Sequence, residues 1–120
     1  MEINCMYTLY HNPKCSKSRS SLEYLKNNNI IFEVVDYLSN PLSKDELFKL
    51  SSKLDGNVLD IIRKGDDLFK QHLSLCDDLT IEKAIEIIVN EPKLMQRPIL
   101  SNTDKAIIGR PLENIISFVN

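Results

Sequence analysis

At 120 residues, with 15 Lys and Arg against 17 Asp and Glu, the chain carries a net charge of −2 and has room for one domain with a single core. That balance argues against a general nucleic-acid binder, and no apolar run is long enough to span a bilayer. The first five residues lack the basic and apolar regions of a signal peptide. Three cysteines at Cys5, Cys15 and Cys76 suit neither a disulfide framework nor a zinc site, so a reducing, cytoplasmic setting and no metal are expected.

In chain order, Met6 to Tyr10 predicts a first strand and Ser16 to about Asn28 a first helix, with Leu22 and Leu25 as its buried stripe and Asn27-Asn28-Asn29 as its stop. Ile30 to Tyr37 predicts a second strand. Strand, helix and strand of these lengths make a βαβ unit with the two strands parallel. Ser43-Lys44-Asp45-Glu46 is a capping box, followed by Leu47, Leu50 and Leu54 at helical spacing and by Gly56 as a stop. Val58 to Lys64 predicts a short helix ended by Gly65, and Thr80 caps a further helix from Ile81 to Asn90. Pro98-Ile99-Leu100 and Lys105 to Ile108 form an antiparallel hairpin around a turn at 101–104. Gly109-Arg110-Pro111 then opens a last helix, with Leu112, Ile115, Ile116 and Val119 facing the core and Pro111 in its first turn.

The chemistry concentrates at Tyr7 to Arg19, which passes from strand through His11-Asn12-Pro13-Lys14 to Cys15 and into the first helix. A thiol at the start of a helix meets unpaired backbone N–H groups and the positive end of the dipole, which favour thiolate and bound oxyanions alike. A lone cysteine is usually a small buried hydrophobe; after a polar loop and flanked by Lys14, Lys17 and Arg19, Cys15 reads instead as a nucleophile. His11 can depress the thiol's pKa as a charged or hydrogen-bonding imidazole. Asn12 shapes the turn before Pro13, and Ser16 to Ser18 can offer hydroxyls and N–H groups to an anion. Cys5 and Cys76 look incidental, His72 a surface residue, and Asp66-Asp67 and Asp77-Asp78 solvated loop charges, with a Mg²⁺ or partner contact as the alternative.

The order βαβ, helices, ββα, with a proline opening the third strand, looks like a thioredoxin-like mixed sheet interrupted by helices: a core over 1–41 and 96–120 and a helical insertion over 42–95 within one domain. The segment His11 to Arg19, with Gln96-Arg97-Pro98-Ile99, Arg63 and Gly109-Arg110-Pro111, resembles the glutaredoxin-coupled arsenate reductase family from about Tyr7 to Val119. That resemblance implies Cys15 as nucleophile aided by His11. It also implies Arg63, Arg97 and Arg110 as the oxyanion's ligands, with Asn12 and Ser16 in the anion-binding loop and a cis peptide bond before Pro98. Guanidinium forks suit tetrahedral oxyanions because they can bond them bidentately. The implied reaction reduces arsenate to arsenite through a covalent cysteine–arsenic adduct. The resemblance also implies glutathione as co-substrate and glutaredoxin (or thioredoxin) as reductant; no tightly bound cofactor and a monomer are expected.

Ser18 stands where a dithiol oxidoreductase carries its second cysteine, and Ser21 where a phosphatase-like loop needs an arginine, which speaks against both architectures. Three alternatives remain: an Spx-like redox regulator binding RNA polymerase, a glutaredoxin-like thiol transferase acting through Cys15, or a reductase-like protein for another oxyanion.

Overall fold

The computed structural model describes residues 7–54, 56–72 and 79–120. Strands β1 (Tyr7–His11), β2 (Phe32–Asp36), β3 (Ile99–Ser101) and β4 (Ala106–Ile108) form one sheet in the order β2-β1-β3-β4. β1 runs parallel to β2, whereas β3 is antiparallel to both β1 and β4. Helices α1 (Ser16–Asn27), α2 (Lys44–Lys53), α3 (Asp67–His72), α4 (Ile81–Asn90) and α5 (Leu112–Val119) complete the set, with 3-10 turns at Val58–Ile61 and Pro92–Leu94. The arrangement is a thioredoxin-like mixed sheet.

Alternation along the strands divides the apolar residues between two cores. Leu9 and Leu100 face α1 and α5 and pack with Leu25 and Ile115. Tyr10 and Ile99 face the other way, onto the residues of α2 and α4, including Leu47, Leu50, Ile85 and Ile88. In the last helix the face toward the core is Leu112, Ile115, Phe118 and Val119; Phe118 takes the place expected for Ile116. Pro111 caps α5 from outside its first turn.

Local chemistry accounts for the boundaries. At the end of α1, Ile30 N–H bonds the Leu25 carbonyl and Asn29 N–H the Lys26 carbonyl, with Asn29 at φ 57°, a left-handed closure for which asparagine is suited. This turn consumes Ile30, so β2 begins later than the run of β-formers suggests. At its other end the Asp36 carboxylate accepts the N–H groups of Leu38 and Ser39, turning the chain at once. α2 has the full capping box, Ser43 Oγ accepting from Glu46 N–H and Glu46 Oε1 from Ser43 N–H. Thr80 Oγ1 accepts from Lys83 N–H at the start of α4.

Two expectations fail in the segment between β2 and β3. Val58 to Lys64 is one 3-10 turn followed by extended chain, because β-branched Ile62 bridges Met95 antiparallel. Arg63 N–H then bonds the Leu94 carbonyl at 2.7 Å, and Gln96 N–H the Ile61 carbonyl at 2.8 Å. Asp66 is not a free solvated charge: its carboxylate accepts Leu68 N–H at the start of α3 and lies 3.3 Å from Arg63. Cys5, Cys76, Asp77, Asp78 and the side chain of His72 lie outside the described residues.

Candidate active site

The parallel pair β1 and β2 ends in register, His11 opposite Asp36, and both chains leave the sheet at the same carboxyl edge. Such edges are where open α/β sheets place their ligands. From β1 the chain passes through an Asx turn, Asn12 Oδ1 accepting Lys14 N–H at 2.9 Å, and Cys15 N–H closes on the Asn12 carbonyl at 3.0 Å. Arg19 ties the loop from outside by donating through Nη1 to the Pro13 carbonyl. Cys15 therefore occupies the N-cap of α1, half-buried, with extended backbone.

Burial pushes the Cys15 thiol up. The backbone N–H groups of Ser18 and Lys17 and the Arg97 guanidinium, acting by charge and by hydrogen bonding, outweigh burial, so its pKa lies below that of an ordinary cysteine. Ser16 is exposed at the first helical position, its carbonyl accepting the Ser20 hydroxyl. The thiol meets the next two amides instead.

His11 is only 6% exposed, and its Nδ1 lies 2.7 Å from Ser18 Oγ. Burial lowers its pKa from 6.5; Asp36 opposes that, and Arg19 and Lys26 reinforce it. The imidazole is thus neutral at neutral pH, which leaves the hydrogen-bonding form of the two expected, and its bond to Ser18 ties the loop. Ser18, fully buried, accepts Asn12 N–H at 3.0 Å as well. Its hydroxyl is committed to His11 and Asn12, and only its amide serves the thiol.

The arginines, distant in sequence, converge. The bridge between Ile62 and Met95 carries Arg63 alongside the residues that lead to Arg97. The Arg97–Pro98 and Arg110–Pro111 peptide bonds are both cis. The Arg63 pKa is lowered by burial first and by the Arg97 charge next; Asp66 and Tyr37 oppose, and Arg110 adds to the lowering, so Arg63 feels both of the other cations. Arg63 is held by Asp66 and by the Lys93 carbonyl, while Arg110 is exposed. Arg97 differs from both: its Nε and Nη1 are buried with no hydrogen-bond partner. A desolvated guanidinium with spare donors beside a thiolate is arranged to receive an anion with several oxygens.

One member of the site is absent from the sequence reading. Tyr37 directly follows β2, and its buried hydroxyl interacts electrostatically with Arg97, Arg63 and Cys15. The signal available was positional: a polar aromatic at the carboxyl end of the strand parallel to the one leading into the cysteine loop.

Three comparisons bear on this arrangement. The protein YfgD of Escherichia coli is 43% identical over 113 residues, spanning 92% of this chain and 94% of its own length. An arsenate reductase of Neisseria meningitidis is 39% identical over 108 residues, 89% of this chain and 92% of that protein. The solved structure of an arsenate reductase from Vibrio cholerae superposes with a TM-score of 0.84 at 37% identity, covering 95% of this chain and 98% of that one. The ArsC family pattern matches residues 10–118, taking in the cysteine loop, the three arginines and the proline that opens β3, and the chain belongs to the ArsC family.

Proposed function

We propose that this protein reduces arsenate to arsenite, with Cys15 as nucleophile and Arg97, Arg63 and Arg110 as the cationic ligands of the oxyanion. The observation that carries the reading is the pair of unpartnered Arg97 donors next to a thiol whose pKa is lowered. The arsenate reductases among its relatives support the choice of anion.

Cys15 thiolate attacks arsenic, an As–O bond breaks, and the oxygen leaves as water after taking up protons. The arginines offset the oxyanion charge as the sulfur–arsenic bond forms. Ser18 supplies no second thiol beside Cys15, and the reading gives resolution of the adduct to thiols from outside. Glutathione displaces a second oxygen as water. A glutaredoxin thiolate then attacks the glutathione sulfur; that sulfur and its own become a disulfide, and the sulfur–arsenic electron pair reduces arsenic from +5 to +3. Hydrolysis of the remaining sulfur–arsenic bond frees arsenite and Cys15. The sum is arsenate plus two thiols giving arsenite, one disulfide and water.

The test is arsenate-dependent NADPH oxidation coupled through glutathione, glutathione reductase and glutaredoxin, with wild type and Cys15→Ser side by side. Turnover in the wild type and none in the folded variant is expected. A wild type silent with both glutaredoxin and thioredoxin, or an active Cys15→Ser, refutes the proposal.

A further inference from the structure

Tyr37 stands one residue past the end of β2, and the register that pairs Asp36 with His11 sets it beside Asn12, where the cysteine loop begins. Its ring belongs to the core of the helical segment, in one cluster with Leu42, Leu47, Ile88 and Met95. The residue is 1% exposed, yet its hydroxyl is buried with no hydrogen-bond partner in the protein. The Asn12 side chain acts on the phenol without reaching full hydrogen-bond geometry.

Native proteins pair nearly all buried polar atoms, and an exception invites a ligand as its explanation. Here the exceptions cluster. Among the described residues the buried side-chain donors left unpaired are Tyr37 Oη and the Nε and Nη1 of Arg97. Tyr37 and Arg97 sense one another electrostatically, and both sense Cys15. A ring fixed by a packed core, with its polar tip in the site, holds a donor in place with little entropy left to lose on binding. Burial pushes the phenol up to about 12, so it keeps its proton across the physiological range.

We propose that the Tyr37 hydroxyl donates a hydrogen bond to an oxygen of the bound tetrahedral oxyanion, completing with Arg97 a cradle of three buried donors around the anion at Cys15. The inference rests on reading Cys15 and the arginines as an oxyanion site. It adds a neutral donor that contributes position and selectivity without further charge.

Tyr37→Phe removes one oxygen and, within the protein, only its off-geometry interaction with the Asn12 side chain. Arsenate, phosphate and sulfate titrated by calorimetry into wild type and Tyr37→Phe, without added thiol, test the proposal alongside thermal melts of both proteins. The variant is expected to melt at or above the wild-type temperature and to bind the preferred anion about tenfold or more weakly. Unchanged affinity for every anion the wild type binds overturns the proposal. So does a wild type that binds none of the three, or a variant that melts well below wild type, which would give the hydroxyl a structural partner. If the wild type neither binds nor reduces arsenate but loses phosphate or sulfate affinity on Tyr37→Phe, the reductase reading fails and the Tyr37 assignment stands. If arsenate is reduced with unchanged affinity and kcat/KM in the variant, the reverse holds.

Discussion

Ser18→Ala tests whether one hydroxyl holds the nucleophile loop. Ser18 is fully buried, and its Oγ bonds both His11 Nδ1 at 2.7 Å and Asn12 N–H at 3.0 Å. Removing it forfeits two hydrogen bonds and strands a ring nitrogen that is itself buried. With ~1–3 kcal/mol for the stranded ring nitrogen, its lost bond included, and about 1 kcal/mol for the bond from the Asn12 amide, the sum is about 2–4 kcal/mol. Water reaching the half-buried Asn12 amide would keep the loss toward the lower end. For a domain of this length the unfolding entropy is about 0.25 kcal/mol/K, so the melting temperature should fall by ~8–16 °C. Calorimetric melts of wild type, Ser18→Ala and Ser20→Ala measure it. Ser20 is the control, an exposed hydroxyl bonded only to the Ser16 carbonyl one turn back, worth a few tenths of a kcal/mol at most. A Ser18→Ala protein that melts with the Ser20→Ala control would show that the Ser18 hydroxyl does not hold the loop.

Arg97→Ala should move the pH midpoint of Cys15 alkylation upward and reduce arsenate turnover about a hundredfold, since a charge and hydrogen-bond donors leave together; an unmoved alkylation profile would remove Arg97 from the thiolate's environment. Gly109→Ala places a Cβ 2.8 Å from Ile115 Cδ1 and 3.0 Å from Pro98 Cγ, both buried, and should cost about 1–3 kcal/mol, read from urea unfolding midpoints. The folded pKa of His11 lies below its ordinary value of 6.5, so the unfolded chain takes up the proton first. Its contribution is complete above that value and is lost as pH falls through it toward the folded pKa. Unfolding free energies at about pH 7.5 and about pH 5.5 should therefore fall less steeply in His11→Gln than in wild type, and equal slopes would contradict a neutral buried imidazole.

What the sequence disclosed was the part written in local chemistry. The Ser43 and Thr80 caps, the asparagine closure after α1 and the parallel βαβ unit each follow from a few neighbouring residues. The Val58 to Lys64 helix failed because the competing partner, the chain at 94–96, is distant in sequence and offers a bridge that local propensity cannot register. α3 is six residues long and owes its start to Asp66, whose pairing with Arg63 is likewise tertiary. In the site, the charge of His11 depended on burial and its place in the loop on the bond to Ser18, neither visible in a loop motif. Tyr37 was hidden for the opposite reason: the pattern of a strand end explains it fully as core, and only the orphaned hydroxyl says otherwise.

The strand order carries a dynamic consequence. β1 and β3 each have a strand on both sides, whereas β2 lies at the margin of the sheet with Val34 46% exposed. Backbone amides of β1 and β3 should therefore exchange with solvent deuterium only near global unfolding, and those on the outer side of β2 by small local openings. Cys15 and Arg97 hang from the two slow strands; Tyr37 hangs from the fast one. Local openings on the outer side of β2 leave the Tyr37 ring seated, because it is 1% exposed within the core of the helical segment. An oxyanion bound as proposed would meet Cys15, Arg97 and Tyr37 already assembled.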